Sequence, residues 1–231
     1  MEIDGAIFDL DGTLLDSIGL WFEAGRRYLM GQGVTPSSEF LQKLKPLQAW
    51  QWADLILEEY DIPASKEDIT AELYRLMAEN YRSSAVLKPG CLELLRRMRA
   101  AGVRLCIATA TDRALFEPAL RRLGLTELFH AILTCREAGH GKDRPDIYWK
   151  ALDLLGTRQE RTMVFEDSLH AIRTAAGAGF RVTAVCDRFS QSEEGAIRAL
   201  AEQYITSFSQ LLDNGEEDPP HADEIHQEPP H

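Results

Sequence analysis

The chain has 231 residues, of which 45% are hydrophobic and 27% charged, so it can bury the core of one large domain, with or without a smaller insertion. These proportions exclude a collagen-like, coiled-coil or wholly disordered protein. Its 25 Lys and Arg against 37 Asp and Glu leave a net charge of −12, which disfavours binding to nucleic acid or to an anionic membrane.

The beginning of the chain predicts a buried strand that ends in an acidic loop. Residues 3–8 form a short apolar run, and Asp9-Leu10-Asp11-Gly12-Thr13 follows it directly. No basic segment with a following apolar stretch precedes this strand, so we expect no secretion signal.

The next part of the chain predicts helices only. Helical periodicity covers residues 17–30, 49–60 and 66–81, and this stretch ends at the turn Lys88-Pro89-Gly90. Two short connections would hinge these helices over the acidic loop. We therefore predict a helical cap over residues 17–87, inserted into a core built from residues 1–16 and 88–213.

The remaining chain alternates between strands and helices. Strands are predicted at residues 103–108, 131–133, 162–165 and 181–185. Helices are predicted at residues 91–101, 113–123, 147–155 and 169–178, each with a glycine just beyond it. Such alternation is typical of a parallel sheet with helices on both faces and with sites at the carboxyl ends of its strands. The predicted fold class is α/β, a Rossmann-like core with an inserted α-helical cap.

The last residues, 214–231, contain six acidic residues, four prolines and three histidines but hardly any apolar side chain. This composition predicts a disordered acidic tail, to which we assign no function.

The cysteines and the hydropathy bear on localisation. Cys91, Cys106, Cys135 and Cys186 are far apart and form no CxxC pair, which is typical of reduced thiols buried as small hydrophobic side chains. Nowhere do 18 apolar residues follow one another, so no membrane span is expected. We expect a cytoplasmic protein that is a monomer or a weak dimer.

The segment Asp9-Leu10-Asp11-Gly12-Thr13 is the strongest functional signal. Carboxylates two residues apart on an extended strand point to the same side. An acidic turn or a helix cap is the alternative, but the apolar strand before this segment and the Gly-Thr pair within it favour a catalytic site.

At this segment the chain resembles the haloacid dehalogenase superfamily of phosphotransferases, in the branch that carries a helical cap and includes sugar-phosphate phosphatases and β-phosphoglucomutase. The resemblance covers about residues 1–212. It implies that Asp9 is the nucleophile that becomes an aspartyl phosphate. It also implies that Asp11 protonates the leaving oxygen and later activates water. The expected substrate is a small phosphorylated metabolite, with a sugar phosphate as the first choice.

A phosphorylated substrate brings negative charge to a carboxylate nucleophile, so a cation must neutralise the site, and Mg²⁺ with oxygen ligands does this. The resemblance implies that Asp9, Asp167 and the backbone carbonyl of Asp11 bind this Mg²⁺, with Glu166 as a further candidate. From the residues alone, Glu166-Asp167-Ser168 fits the N-terminal cap of the following helix equally well.

The resemblance also implies two phosphate-binding residues, Thr109 and Lys142. Taken alone, a threonine after a strand is typical of a turn, and a lone lysine is typical of the solvated surface. The family usually has proline directly after this lysine, where the present chain has Asp143. The change raises the question whether Asp143 offsets the charge of Lys142 and whether Arg144 assists.

The cap bears on the substrate. An ungapped alignment with β-phosphoglucomutase places Trp21, Ala49 and Met77 where the mutase has histidine, arginine and lysine, so these three are the cap candidates for contact with the substrate. Without those two cations a distal phosphate has no partner, which favours hydrolysis over mutation. Trp21 is a candidate for stacking on a sugar or nucleoside, although burial in the cap is the commoner role of tryptophan. The alternatives are a phosphosugar mutase and a non-catalytic binding module of the same fold.

Overall fold

The computed structural model describes residues 3–44 and 49–212, with the backbone alone at residues 42, 49 and 50. The predicted acidic tail, residues 214–231, lies outside the described residues. The strands are β1 (Gly5–Phe8), β2 (Leu15–Asp16), β3 (Val86–Leu87), β4 (Arg104–Thr109), β5 (Ala131–Thr134), β6 (Thr162–Glu166), β7 (Arg181–Val185) and β8 (Gln203–Ile205). The α-helices are α1 (Ile18–Gly31), α2 (Ser38–Leu44), α3 (Ala49–Glu59), α4 (Lys66–Ser83), α5 (Cys91–Ala100), α6 (Arg113–Arg122), α7 (Cys135–Ala138), α8 (Asp146–Leu155), α9 (Leu169–Gly177) and α10 (Glu194–Leu200).

A parallel sheet forms the centre of the molecule, and its order across the described residues is β5-β4-β1-β6-β7-β8. Strand β1 lies between β4 and β6, so Phe8 pairs with Ile107 on one side and with Phe165 on the other. All residues of β1 are buried, as expected for a strand covered on both faces. The α/β fold class is confirmed, and the residues that follow β1, β4 and β6 meet at one edge of the sheet.

The two faces of the sheet bury separate cores because side chains alternate along each strand. Phe8 points into the larger core and Ile7 into the smaller one. In the larger core Phe8 stacks on Phe165 with ring centroids 4.3 Å apart, and Phe208 packs against both rings. Asp9 directly follows Phe8 in the chain, so this aromatic cluster supports the position of Asp9.

Strands β2 and β3 pair as an antiparallel ribbon. In the chain, helices α1–α4 follow β2 and precede β3, and we call them the cap helices. This ribbon, helices α2, α7 and α10, and strand β8 were not predicted from the sequence. Elements of two or three residues show no periodicity, and a helix of seven residues spans fewer than two turns at 3.6 residues per turn.

The loop after β7 is one of the places where the core contacts the ribbon and the cap helices. Lys88, at the end of the ribbon, donates to the carbonyl of Cys186 at 2.6 Å and forms a buried ion pair with Asp187 at 2.9 Å. Phe189, two residues after Asp187, stacks on Phe22 of α1 with ring centroids 4.9 Å apart. The loop after β7 therefore touches both the ribbon and the first cap helix.

Among the described residues, no helix combines the length and the hydropathy that crossing a bilayer requires. All four cysteines are free thiols, and all but the half-buried Cys186 are buried.

Replacing Phe8 by alanine should lower the free energy of unfolding by about 3–5 kcal/mol, because it removes a fully buried ring between Phe165 and Phe208. Phe8→Leu, which keeps much of the volume, should cost clearly less. Urea denaturation measures both losses. A loss below about 1 kcal/mol for Phe8→Ala would show that the cluster does not support the strand.

Candidate active site

The carboxyl ends of three neighbouring strands bring the expected residues together. Asp9 follows β1, Thr109 ends β4, and Glu166 ends β6 with Asp167 directly after it. Asp9 is held between the strands by a hydrogen bond from its backbone N–H to the carbonyl of Phe165 at 2.9 Å. Asp9, Thr109, Glu166 and Asp167 are all buried. The parallel register therefore converts distant segments of the chain into one polar cluster.

Lys142 enters this cluster from the loop between α7 and α8. Its side chain is 5% exposed, and its ammonium group donates hydrogen bonds to Asp9 Oδ1 and, at 2.5 Å, to Glu166 Oε1. The Tyr148 hydroxyl donates to the same Glu166 oxygen at 3.2 Å. Burial lowers the pKa of Lys142, but the two carboxylates outweigh it and raise the pKa well above its usual value. Lys142 is therefore a fixed positive charge.

Asp143, which stands where the family usually has proline, does not disturb the pairing of Lys142 with Asp9 and Glu166. Asp143 is exposed, whereas Lys142 is buried against Asp9 and Glu166. Arg144 pairs with Asp146 at 3.1 Å on the surface rather than with the cluster. The loop thus keeps the lysine inside and turns its other charged residues towards solvent.

Asp9, Glu166 and Asp167 form a group of carboxylates in which one oxygen from each lies within 4.8 Å of the other two. Burial raises the pKa of Asp9 to about 6 despite Lys142. Burial, followed by the charges of Asp9 and Glu166, raises the pKa of Asp167 well above its usual value. Three carboxylates around one ammonium leave excess negative charge in a site that water reaches poorly. Their oxygens suit Mg²⁺, so the donor set fits a hard divalent cation.

The Gly-Thr pair of the acidic motif has a structural reason. Gly12 has φ +88°, a left-handed conformation that favours glycine, and a Cβ at this position would overlap the Asp167 carboxylate. Thr13 donates from Oγ1 to Asp167 Oδ1 at 3.2 Å. The motif therefore places its first carboxylate in the cluster and also makes room for Asp167 and orients it.

Asp11 is half-buried and is held by three hydroxyl groups. Ser17 and Tyr81 each donate to Oδ1 at 2.5 Å, and Thr111 donates to Oδ2 at 2.6 Å. Burial raises the pKa of Asp11, and these hydrogen bonds reduce the increase without cancelling it.

None of the three hydroxyl donors was predicted from the sequence as a site residue. Ser17 and Thr111 lie close to recognised motifs, so their hydroxyls were a usable signal. Tyr81 is 70 positions from Asp11, and no local pattern connects the two.

A cavity of about 220 Å³ lies over the cluster. Its lining residues come from both the core and the cap helices: Asp9, Asp11, Ile18, Trp21, Phe22, Trp52, Thr109, Ala110, Thr111, Lys142, Asp167, Ser168 and His170. The cap side of the cavity is thus mainly aromatic, and the core side carries the charges.

The three candidates in the cap fall in different places. Trp21 lines the cavity, and its ring contacts Trp52 edge-on with centroids 6.0 Å apart. Met77 was expected at the substrate, but it is fully buried in the larger core and does not line the cavity. It belongs to the apolar face of α4, which packs against other helices. Ala49 begins α3, and its side chain lies outside the described residues.

The family model of the haloacid dehalogenase-like hydrolases matches residues 6–185. The chain belongs to this family. A relative named phosphorylated carbohydrates phosphatase, from Thermotoga maritima, is 27% identical over 177 residues, which cover 77% of this chain and 82% of that protein. Protein CbbY of Cereibacter sphaeroides is 30% identical over 227 residues, which cover 90% of this chain and 94% of the relative.

Among solved structures, a mutant of CbbY from Rhodobacter sphaeroides in complex with xylulose-(1,5)bisphosphate is similar with a TM-score of 0.78. The two chains are 26% identical, and the match covers 90% of this chain and 96% of that one. The resemblance stated from the sequence is therefore confirmed, and the relative named as a phosphatase supports the expected enzyme class.

Gly12→Ala should disrupt the candidate active site more than the fold. The added methyl must displace the Asp167 carboxylate, whereas Gly102, with φ +81°, has no atom within 4 Å of an added Cβ. Gly102→Ala is the control, and it carries the same left-handed strain as Gly12→Ala, roughly 1–2 kcal/mol. We expect a similar fall in melting temperature for both variants, but loss of hydrolytic activity for Gly12→Ala alone. Equal activity in the two variants would contradict the close approach to Asp167.

Proposed function

We propose that this protein is a Mg²⁺-dependent phosphatase that hydrolyses a small phosphorylated metabolite, with a sugar phosphate as the first choice, through an aspartyl phosphate on Asp9. The observation that carries the proposal is the buried contact of Lys142 with Asp9 at the base of a cavity that also contains Asp11 and Thr109. A nucleophile, an acid–base group and two groups suited to phosphate oxygens thus face one space.

The proposed reaction has two halves. In the first, a carboxylate oxygen of Asp9 attacks phosphorus while the bond to the leaving oxygen breaks, and protonated Asp11 gives its proton to that oxygen. In the second, Asp11 takes a proton from water as the water oxygen attacks phosphorus, which releases inorganic phosphate and restores Asp9. Lys142 and Thr109 would hold the phosphoryl oxygens in both halves.

Asp9, Asp167 and the backbone carbonyl of Asp11 would hold the Mg²⁺, and Glu166 is a further candidate. When bound, the ion supplies positive charge that offsets the charge of the phosphoryl group. Glu166 already accepts hydrogen bonds from Lys142 and Tyr148, so its first role is to fix the lysine.

The cavity indicates the kind of leaving group. Trp21, Phe22 and Trp52 on the cap side offer flat apolar surfaces on which the C–H face of a sugar can stack. The Thermotoga relative is named for carbohydrate phosphates, and the ligand in the CbbY complex is a sugar bisphosphate. A tryptophan in place of the mutase histidine and the burial of Met77 in place of its lysine favour hydrolysis over mutation.

Assays on a panel of sugar phosphates with Mg²⁺ should detect release of inorganic phosphate. Asp9→Asn should reduce release to background without loss of folding, because the attacking oxygen is removed. Asp16→Asn, which changes an exposed acid near the same motif, is the matched control and should retain activity. Isomerised sugar phosphate without phosphate release would favour the mutase. Phosphate binding without turnover of any phosphomonoester would favour the binding module.

Mg²⁺ should stabilise the protein, because it relieves repulsion within the buried acidic group. At about 100 times its dissociation constant, a ligand contributes about 2.7 kcal/mol, which corresponds to roughly 5–11 °C in melting temperature for a chain of this size. Asp167→Asn should reduce this increase strongly and leave the metal-free protein at least as stable as the wild type. Asp143→Asn, at an exposed acid, should leave the increase unchanged. An equal increase in all three proteins would exclude metal binding at this cluster.

A further inference from the structure

We propose that Tyr81, on cap helix α4, is a positioning residue for the acid–base group Asp11, so that its loss slows the reactions that need protonation of the leaving group. This inference rests on the proposed function and extends it to a residue in the cap.

The contact between the two side chains is short and sheltered. The Tyr81 hydroxyl donates to Asp11 Oδ1 at 2.5 Å, and Tyr81 is fully buried. When Asp11 is ionised, a charge-assisted hydrogen bond of this length is among the stronger kinds in proteins. A change in the position of Tyr81 therefore acts directly on the orientation of the Asp11 carboxylate.

The three groups that hold Asp11 come from different parts of the molecule. Ser17 directly precedes α1, Thr111 follows β4 of the core, and Tyr81 lies near the end of α4. Ser17 and Tyr81 share Oδ1, while Thr111 binds Oδ2, so both carboxylate oxygens are engaged. Asp11 is thus held by Thr111 of the core, by Ser17 at the start of α1 and by Tyr81 of α4.

Tyr81 is itself anchored. The guanidinium of Arg122, on core helix α6, donates to the carbonyl of Tyr81 at 3.3 Å and to the carbonyl of Ala85 at 2.5 Å. The ring of Tyr81 meets Trp21 edge-on with centroids 6.4 Å apart, and Trp21 lines the cavity. Trp21 thus lines the cavity and also contacts the residue whose hydroxyl binds Asp11.

The test compares substrates whose leaving groups differ in their need for a proton. A sugar or alkyl phosphate needs a proton on its departing oxygen, whereas the nitrophenolate of p-nitrophenyl phosphate departs without one. The ratio kcat/KM reports the steps up to formation of the aspartyl phosphate, so it isolates the half-reaction in which Asp11 is the acid.

Tyr81→Phe should lower kcat/KM for the best sugar phosphate by about tenfold or more, as general acid catalysis contributes roughly 10²–10⁴-fold in all. For p-nitrophenyl phosphate kcat/KM should change less than about threefold. Asp11→Asn should show the same pattern with a larger difference between the substrates, and adding Tyr81→Phe to it should cause no further difference.

Tyr74→Phe is the matched control. Tyr74 lies on the same helix and also crosses to the core, where its hydroxyl donates to Asp112 at 3.1 Å, but it does not touch Asp11. This variant should affect both substrates equally. If Tyr81→Phe fails to fold by thermal melting, Ser17→Ala removes the other donor to Oδ1 and should show the same preference for the activated substrate.

Equal losses for both substrates in Tyr81→Phe, or no loss for either, would overturn the positioning role while leaving the phosphatase proposal intact. A wild-type protein that hydrolyses neither substrate would instead overturn the proposed function. The two failures are therefore distinguishable in one set of assays.

Discussion

Lys142 places a positive charge between Asp9 and Glu166 in a part of the molecule that water hardly reaches. Burial of carboxylates is costly unless they are paired and hydrogen-bonded, and the lysine, with the Tyr148 hydroxyl, meets this need for two of them. Within residues 3–44 and 49–212, Asp167 forms no ion pair with a lysine or arginine, although Thr13 donates to it. The remaining negative charge is what suits this pocket to a divalent cation.

The division of labour between core and cap follows from topology. Adjacent parallel strands end at one edge of the sheet, so the core can supply several charged groups with fixed spacing. Helices that are joined to the core by a two-stranded ribbon can cover that edge and form the opposite wall. In this protein the wall is aromatic, and Tyr81 joins it to Asp11.

Stacked aromatic rings link the two parts at a second point. Trp52 and Phe22 stack within the cap, and Phe22 stacks in turn on Phe189 in the loop after β7. That loop also contains Asp187, which pairs with Lys88 at the end of the ribbon. A change in cap position is thus opposed by packing on one side of the cavity and by hydrogen bonds to Asp11 on the other.

Local patterns in the sequence were sufficient for the α/β fold and for the residues that follow strands. Asp9, Thr109 and Asp167 each come after a short apolar run, and residues that are close in the chain stay close in space in any fold. The placement of Met77, the aromatic wall and the contact of Tyr81 with Asp11 were decided by the tertiary structure. These features depend on how α4 and α1 pack on the core, and such packing sums many weak contacts between residues that are far apart in the chain.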